Sequence, residues 1–374
     1  MGNGKIGIGP SGPTAGLIQF IAFTVVGIVL FVYAIPVGLI VLKIIPATLL
    51  MLVAIGCLAL LGDNFPLAPP GGQWWNPDKS RVVAGIGMTL LLVVFTFVVL
   101  LFMRFVYPGW PIGPLYLWFG VIAFWLTLLY GINWNGWPFK GRLHPWGTMV
   151  VGFIIIMGLT ILVWNLLTNL EGTPLADTPM NHKGPWNVNW LTGFLVWCIA
   201  WFFVFNPVFV TQGWPFGSWG HPGMAIGQTI LAHILGYICW QGSLAVGISP
   251  TFSFAAVGSS IIFWSLIYSW HLQFWGITKF THFTRAIWAF IVVCVLTIIW
   301  IGILRVVLGP AADQIAAAKL PADVNILIIY VNLCIVAPAL ITQRLVAEMA
   351  VDATYSSGYA TPGSGRIRIT DHSY

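Results

Sequence analysis

Apolar residues in this chain come in long runs, broken by short polar or Pro/Gly-rich breaks, and the period of the breaks sets the expected elements. Runs cover residues 14 to 42, 46 to 61, 82 to 104, 113 to 131, 148 to 167, 189 to 211, 223 to 246, 252 to 273, 285 to 308 and 323 to 345. A hydrocarbon core of about 30 Å takes about 20 apolar residues per helical crossing. The pattern therefore predicts an all-α polytopic membrane protein of ten helices, the second of them short. Residues 1–13 form a cytoplasmic segment, 14–346 the transmembrane domain, and 347–374 a polar cytoplasmic tail.

The breaks repeat. "GWPFKGRLHPWG" at residues 136 to 147 and "GWPFGSWGHPG" at residues 213 to 223 each set a Trp seven residues ahead of a His at the mouth of an apolar run, and "WGITKFTHFTR" is a third version. Trp137 and His144, Trp214 and His221, and Trp275 and His282 are thus equivalent doorways. Starting from Trp75, the Trp spacings are 62, 77 and 61. On the opposite side Pro46, Pro108, Pro174, Pro250 and Pro310 are spaced by 62, 66, 76 and 60, with the long interval in the same place. Proline lacks a backbone donor and disfavours helix in the residue before it, so it belongs at such turns. The inference is five tandem hairpins, parallel pseudo-repeats that close into a ring with a path at its axis. In topology alone this is similar to the tellurite-resistance and slow-anion-channel family; none of that family's motifs stands in the chain.

Composition agrees with the pattern: 59% of residues are hydrophobic and only 6% charged, against about 25% charged in soluble domains. The net charge of +6 sits at helix ends, not in a basic run with interleaved aromatics, so nucleic acid is not an expected partner. Lys5, Lys79, Arg81, Lys140, Arg142, Lys279, Arg285, Arg344, Arg366 and Arg368 fall on one side, and Lys43, Arg104, Lys183, Arg305 and Lys319 on the other. The excess of basic residues places both termini in the cytoplasm and the protein in the cell (inner) membrane. The five Cys are single and lie within apolar runs, which writes neither a disulfide framework nor a zinc motif.

Every Asp and Glu falls in a loop, at a helix end or in the tail. Proton pumps and cation carriers keep an acid inside the membrane, so the chain points away from that class. The polar side chains inside the runs form two stripes. One holds His233, Tyr237 and Gln241, with Gln228 on the approach; the next holds Ser260, Trp264, Tyr268 and His271, and Asn206 interrupts an earlier run beside Pro207. These are read as a substrate path, with interhelical hydrogen bonding as the structural alternative. Trp137, His144, Trp214, His221, Trp275, His282, Lys140, Arg142, Lys279 and Arg285 are read as a cytoplasmic vestibule, whose bland counterpart is a set of interfacial anchors.

The expected function is transport or channelling of a small anionic or neutral solute. A redox or quinone-handling subunit using His233 and His271 is the alternative, as is a structural subunit of a larger membrane complex. No cofactor is required. Haem between His233 and His271 is disfavoured by their different depths, and a metal at His144, His221 and His282 would need loops folded inward. Expected partners are the lipid bilayer and the solute, with a homo-oligomer or further membrane subunits open.

Overall fold

The computed structural model describes residues 12–29, 45–57, 81–108, 114–173, 175–204, 211, 213–268, 272, 275–277, 280–320 and 323–342. Asn206, Pro174, His271, Lys279 and the polar tail lie outside them. The described residues are mainly helical, with a single two-residue strand pair among them. We number the helices α1 (Gly12–Val26), α2 (Ile45–Gly56), α3 (Arg81–Val106), α4 (Pro114–Leu128), α5 (Pro145–Leu167), α6 (Val188–Val204), α7 (Gly223–Ala245), α8 (Ser259–Leu266), α9 (His282–Val307), α10 (Gly309–Ala317) and α11 (Val324–Thr342). α4 runs on into a π turn, Leu129–Asn133, and another π turn, Phe252–Gly258, leads into α8.

Among the described residues four stretches are long and apolar enough to cross a membrane: Leu115–Asn133, Trp146–Leu167, Gly223–Ala245 and His282–Val307. Phe20–Val29, Val93–Val106, Val188–Val204, Phe252–Leu266 and Val324–Leu333 are apolar but shorter over the residues described. Part of each of the ten expected runs is helical. One helix was not expected: α10 lies in a segment read as a connection, where Ala311 and Ile315, four apart, are its buried side. The expected outer loop around residues 168 to 190 is ordered by a two-residue parallel ladder, Thr168–Asn169 on Trp186–Asn187. Asn181 ties it down, accepting from the backbone N–H groups of Leu170 and Lys183 and donating to Ala176 O.

Helix packing sorts the elements into two layers. α2 packs on α4, α4 on α6, α6 on α8 and its π turn, α8 on α11, and α11 back on α2, so these five close a cycle. On that cycle α3 lies against α2, α5 against α4, α7 against α6, α9 against α8 and α1 against α11. Burial follows the same division. The Leu115–Asn133 span is 78% buried, whereas the spans in α5, α7 and α9 are 28%, 33% and 33% buried. Those outer helices turn Ile154, Leu162, Ile230, Ile238, Ile291 and Ile298 outward, an all-apolar exposed face that suits lipid and not water. The helices joined through the doorways, α4 with α5, α6 with α7 and α8 with α9, are the ones that pack together.

Close packing between α6 and α7 depends on small residues. A Cβ on Gly236 would stand 2.9 Å from the backbone N of Cys198, and one on Gly193 would collide with the Trp240 ring. Without a hydrophobic drive between helices in lipid, such close backbone approach supplies the dispersion energy that joins them. Trp240 is fully buried as a result.

Candidate functional site

The doorways are compact turns. In the first, the backbone N–H groups of Trp137, Phe139 and Lys140 donate to Trp134 O, Gly136 O and Gly136 O, and the Tyr130 hydroxyl donates to Gly136 O at 3.0 Å. Gly136 and Gly213, each just ahead of a doorway Trp, have φ of 67° and 87°, the left-handed region where a side chain is unfavourable. Trp137–Pro138 and Trp214–Pro215 are both cis.

The three His residues do not hold the same helical position. His144 is the N-cap of α5, with its Nδ1 accepting from Trp146 N at 3.4 Å; His221 precedes the Pro222 cap of α7; His282 is the first residue of α9. His144 and His282 are exposed and His221 is half-buried. Among the described residues no three His, Cys, Asp or Glu stand together in a way that could hold a metal. Of the expected vestibule cations, Arg142 is exposed, Lys140 is half-buried, and the Arg285 guanidinium donates to Phe280 O at 2.8 Å, bracing its own turn. Trp214 and Trp275 are exposed at 37% and 71%.

Two of the doorways reach the next outer helix. From the first, Trp134 Nε1 donates to Thr229 Oγ1 on α7 at 3.2 Å; from the second, Trp214 packs on Phe283 of α9 at 5.3 Å. Each turn thus leans on the outer helix that the next turn introduces. Opposite contacts mark the other end, where Tyr107 donates to Asn165 and Arg305 lies over the Phe252 ring at 4.7 Å.

His233 reaches from outer α7 into the seam between α4 and α6. Its ring meets Trp125 of α4 at 5.6 Å and Phe194 and Phe202 of α6 at 6.1 and 5.6 Å, and its Nδ1 bonds Thr229 O at 2.7 Å. Tyr237, four residues on, is half exposed and touches Phe194; Gln241 is half-buried. The stripe therefore turns gradually from the seam toward the outside.

The second stripe is arranged differently. Ser260 receives a hydrogen bond from Asn332 Nδ2 of α11, which also donates to Ser259, while Trp300 of α9 donates to Asn332 Oδ1 at 2.9 Å. Trp264 is buried against Phe20 and Trp300, and the Tyr268 hydroxyl donates to Trp275 O at 2.7 Å. These contacts join α8, α9 and α11.

Two further residues stand out in the structure. Gln228 of α7 is 1% exposed and neither its Nε2 nor its Oε1 has a hydrogen-bond partner among the described residues; Asn133, at the end of the π turn after α4, is also 1% exposed, with its Oδ1 unpartnered among them. The pattern set Gln228 on the approach to the His233 stripe and did not single out Asn133, because only the fold decides whether a buried amide finds a partner. Compared with known proteins, the chain matches no family model, no curated protein and no solved structure.

Proposed function

We propose that the chain is an integral membrane channel or transporter whose ten helices are five tandem hairpins in a ring, carrying a small anionic or neutral solute along the axis of α2, α4, α6, α8 and α11. The observation that supports this most is the closed packing cycle of those five buried helices, each shielded by one outer helix. Internal repeats of this kind place solute paths at the repeat interface or axis. The doorways then act as the turns that re-enter the membrane in each repeat, with Lys140, Arg142, Lys279 and Arg285 around the cytoplasmic mouth. His233, wedged in the seam between two inner helices, belongs to the path.

Flux into liposomes that contain the purified full chain tests the proposal. Chloride, formate, glycerol, urea or acetamide should enter faster than into protein-free vesicles. His233→Ala should lower that flux with folding intact, and His233→Gln, which keeps a donor and an acceptor, should retain part of it. Entry of none of these solutes above the protein-free rate overturns the channel; equal stability loss in both variants with unchanged flux makes His233 a structural tie.

Both termini are placed in the cytoplasm of a cell (inner) membrane, with the loop around residues 168 to 190 outside, because the basic excess lies on the doorway side. In a background lacking the native Cys residues, Asp177→Cys should react with an impermeant thiol reagent in intact cells and Ser364→Cys should not. The reverse labelling inverts the orientation.

A further inference from the structure

The first two doorways are built on one frame and differ at their tips. Counted from Trp137 and Trp214, both carry Pro, Phe and His at the same places, and both follow a Gly of positive φ. Lys140 and Arg142 stand where the second doorway has Gly217 and Trp219. Both turns form, so neither cation is needed to make one. Arg142 is exposed and Lys140 half-buried; Trp219, the counterpart of Arg142, is exposed as well.

Charge around the first tip has one sign. Residues 79 to 170 hold no Asp or Glu. The acids among the described residues, Glu171, Asp177, Asp313 and Asp323, all follow the far ends of α5 and α9, away from the doorways. The backbone N–H groups of Arg142 and Leu143 both donate to Phe139 O at 3.0 Å, which folds the tip into a tight turn. Being two residues apart, Lys140 and Arg142 have Cα atoms at most about 7 Å from each other. Side chains that long can meet on one phosphate, to which a guanidinium donates two parallel hydrogen bonds.

An exposed apolar face adjoins the charge. Leu143, next to Arg142, is exposed, and α5 then turns Val150, Ile154 and Leu162 outward, at multiples of four residues along one ridge. From Val150 to Leu162 the ridge covers about 18 Å of helix, more than one leaflet's half of a hydrocarbon core of about 30 Å. A free phosphate would leave that face uncovered; a phospholipid covers both parts at once. α7 repeats the apolar face with Ile226, Ile230 and Ile234, but its doorway, residues 213 to 223, carries no Lys, Arg, Asp or Glu.

We propose that Lys140, Arg142 and the outer face of α5 seat one anionic phospholipid, with its phosphate at the two cations and an acyl chain along Val150, Ile154 and Leu162. α5 thereby selects a charged headgroup and α7 does not. The seat rests on the membrane reading of the fold and needs no solute path.

Native mass spectrometry of the purified full chain in detergent tests it. The probes are palmitoyl-oleoyl phosphatidylglycerol, phosphatidylcholine with the same chains, dihexanoyl phosphatidylglycerol and inorganic phosphate. One long-chain phosphatidylglycerol should bind at least about tenfold more tightly than phosphatidylcholine, because each basic side chain beside an anionic headgroup contributes about fivefold. Added NaCl should reduce that preference, since salt screens exposed charges. Lys140→Gln with Arg142→Gln should abolish it at unchanged Tm, Arg142→Lys should keep most of it, and Trp219→Gln in the second doorway should leave it as in the wild type. Where the double variant loses Tm, the single variants Lys140→Gln and Arg142→Gln decide, each expected to remove part of the preference. Equal binding of the two long-chain lipids by the wild type overturns the seat, as does a preference that survives loss of both cations. Displacement of the lipid by inorganic phosphate, or dihexanoyl binding as tight as that of the long-chain lipid, overturns it too, since either leaves the α5 face without a role. Lipid preference without liposome flux refutes transport and leaves the seat standing; flux through a chain that binds both lipids equally refutes the seat and leaves transport standing.

Discussion

Gly236→Ala lowers thermal stability while Gly242→Ala, six residues further along the same helix, leaves it unchanged or raises it. At Gly236 the added carbon meets Cys198, 2.8 Å from its sulfur and 2.9 Å from its backbone N, and a helix backbone cannot yield as a side-chain tip can. At Gly242 nothing lies within 4 Å of the added carbon. Overpacking costs about 1 to 3 kcal/mol, and at a backbone contact the upper end applies; helix propensity returns up to about 1 kcal/mol at either position. The net effect is a loss of about 2 kcal/mol at Gly236 and a small gain at Gly242. Thermal unfolding of both variants in detergent reads the difference directly. Equal Tm values in the two proteins would mean that α6 and α7 do not pack at this register.

Asn332→Leu is expected to loosen the α8, α9 and α11 side of the bundle. Asn332 is 1% exposed and is saturated: Trp300 donates to its Oδ1, and its Nδ2 donates to Ser259 and Ser260. Leucine keeps the volume but strands the indole N–H of Trp300, which is 4% exposed. Interhelical hydrogen bonds inside membranes average about 0.6 kcal/mol each, and an orphaned buried donor adds about 1 to 3 kcal/mol. A loss of about 3 kcal/mol follows. Because the same N–H causes most of it, the double variant with Trp300→Phe should be less destabilised than the two single effects added together. Additive losses would show that the two side chains do not interact. Ser260→Ala should lower stability through the same network while flux per folded molecule stays the same, which separates its structural role from a place on the path.

Much of the fold was legible because the physics behind it is local. Pro145 behind His144 announces the start of α5, since a proline at the first helical position has no N–H to leave unsatisfied. Trp214 and Trp275 sit among doorway glycines with positive φ, as interfacial turns require. Spacing along the chain does not say which neighbour a helix packs on: α5 lies on α4 and α7 on α6, contacts that only the assembled bundle sets. Spacing within one helix also cannot report which face is buried. Tyr237 follows His233 by one turn and is half exposed, whereas Trp240, a turn further, is fully buried against Gly193.

Pattern and composition alone determined the class of the chain: runs of apolar residues about the length of a bilayer, 6% charge kept to loops, run ends and terminal segments, and repeated turn chemistry at Trp137, Trp214 and Trp275. Hydropathy and turn propensity belong to each segment by itself, so no partner is needed to read them. Tertiary structure alone decided which five helices are interior and which polar groups are satisfied. Ser260 and Gln228 look alike along the chain, each a small or mid-sized polar residue on a polar stripe of an otherwise apolar helix. Ser260 meets Asn332 from a helix 72 residues away, and Gln228 meets no hydrogen-bond partner among the described residues. A hydrogen bond is a property of two positions in space, and the distance between them is set only when the helices pack.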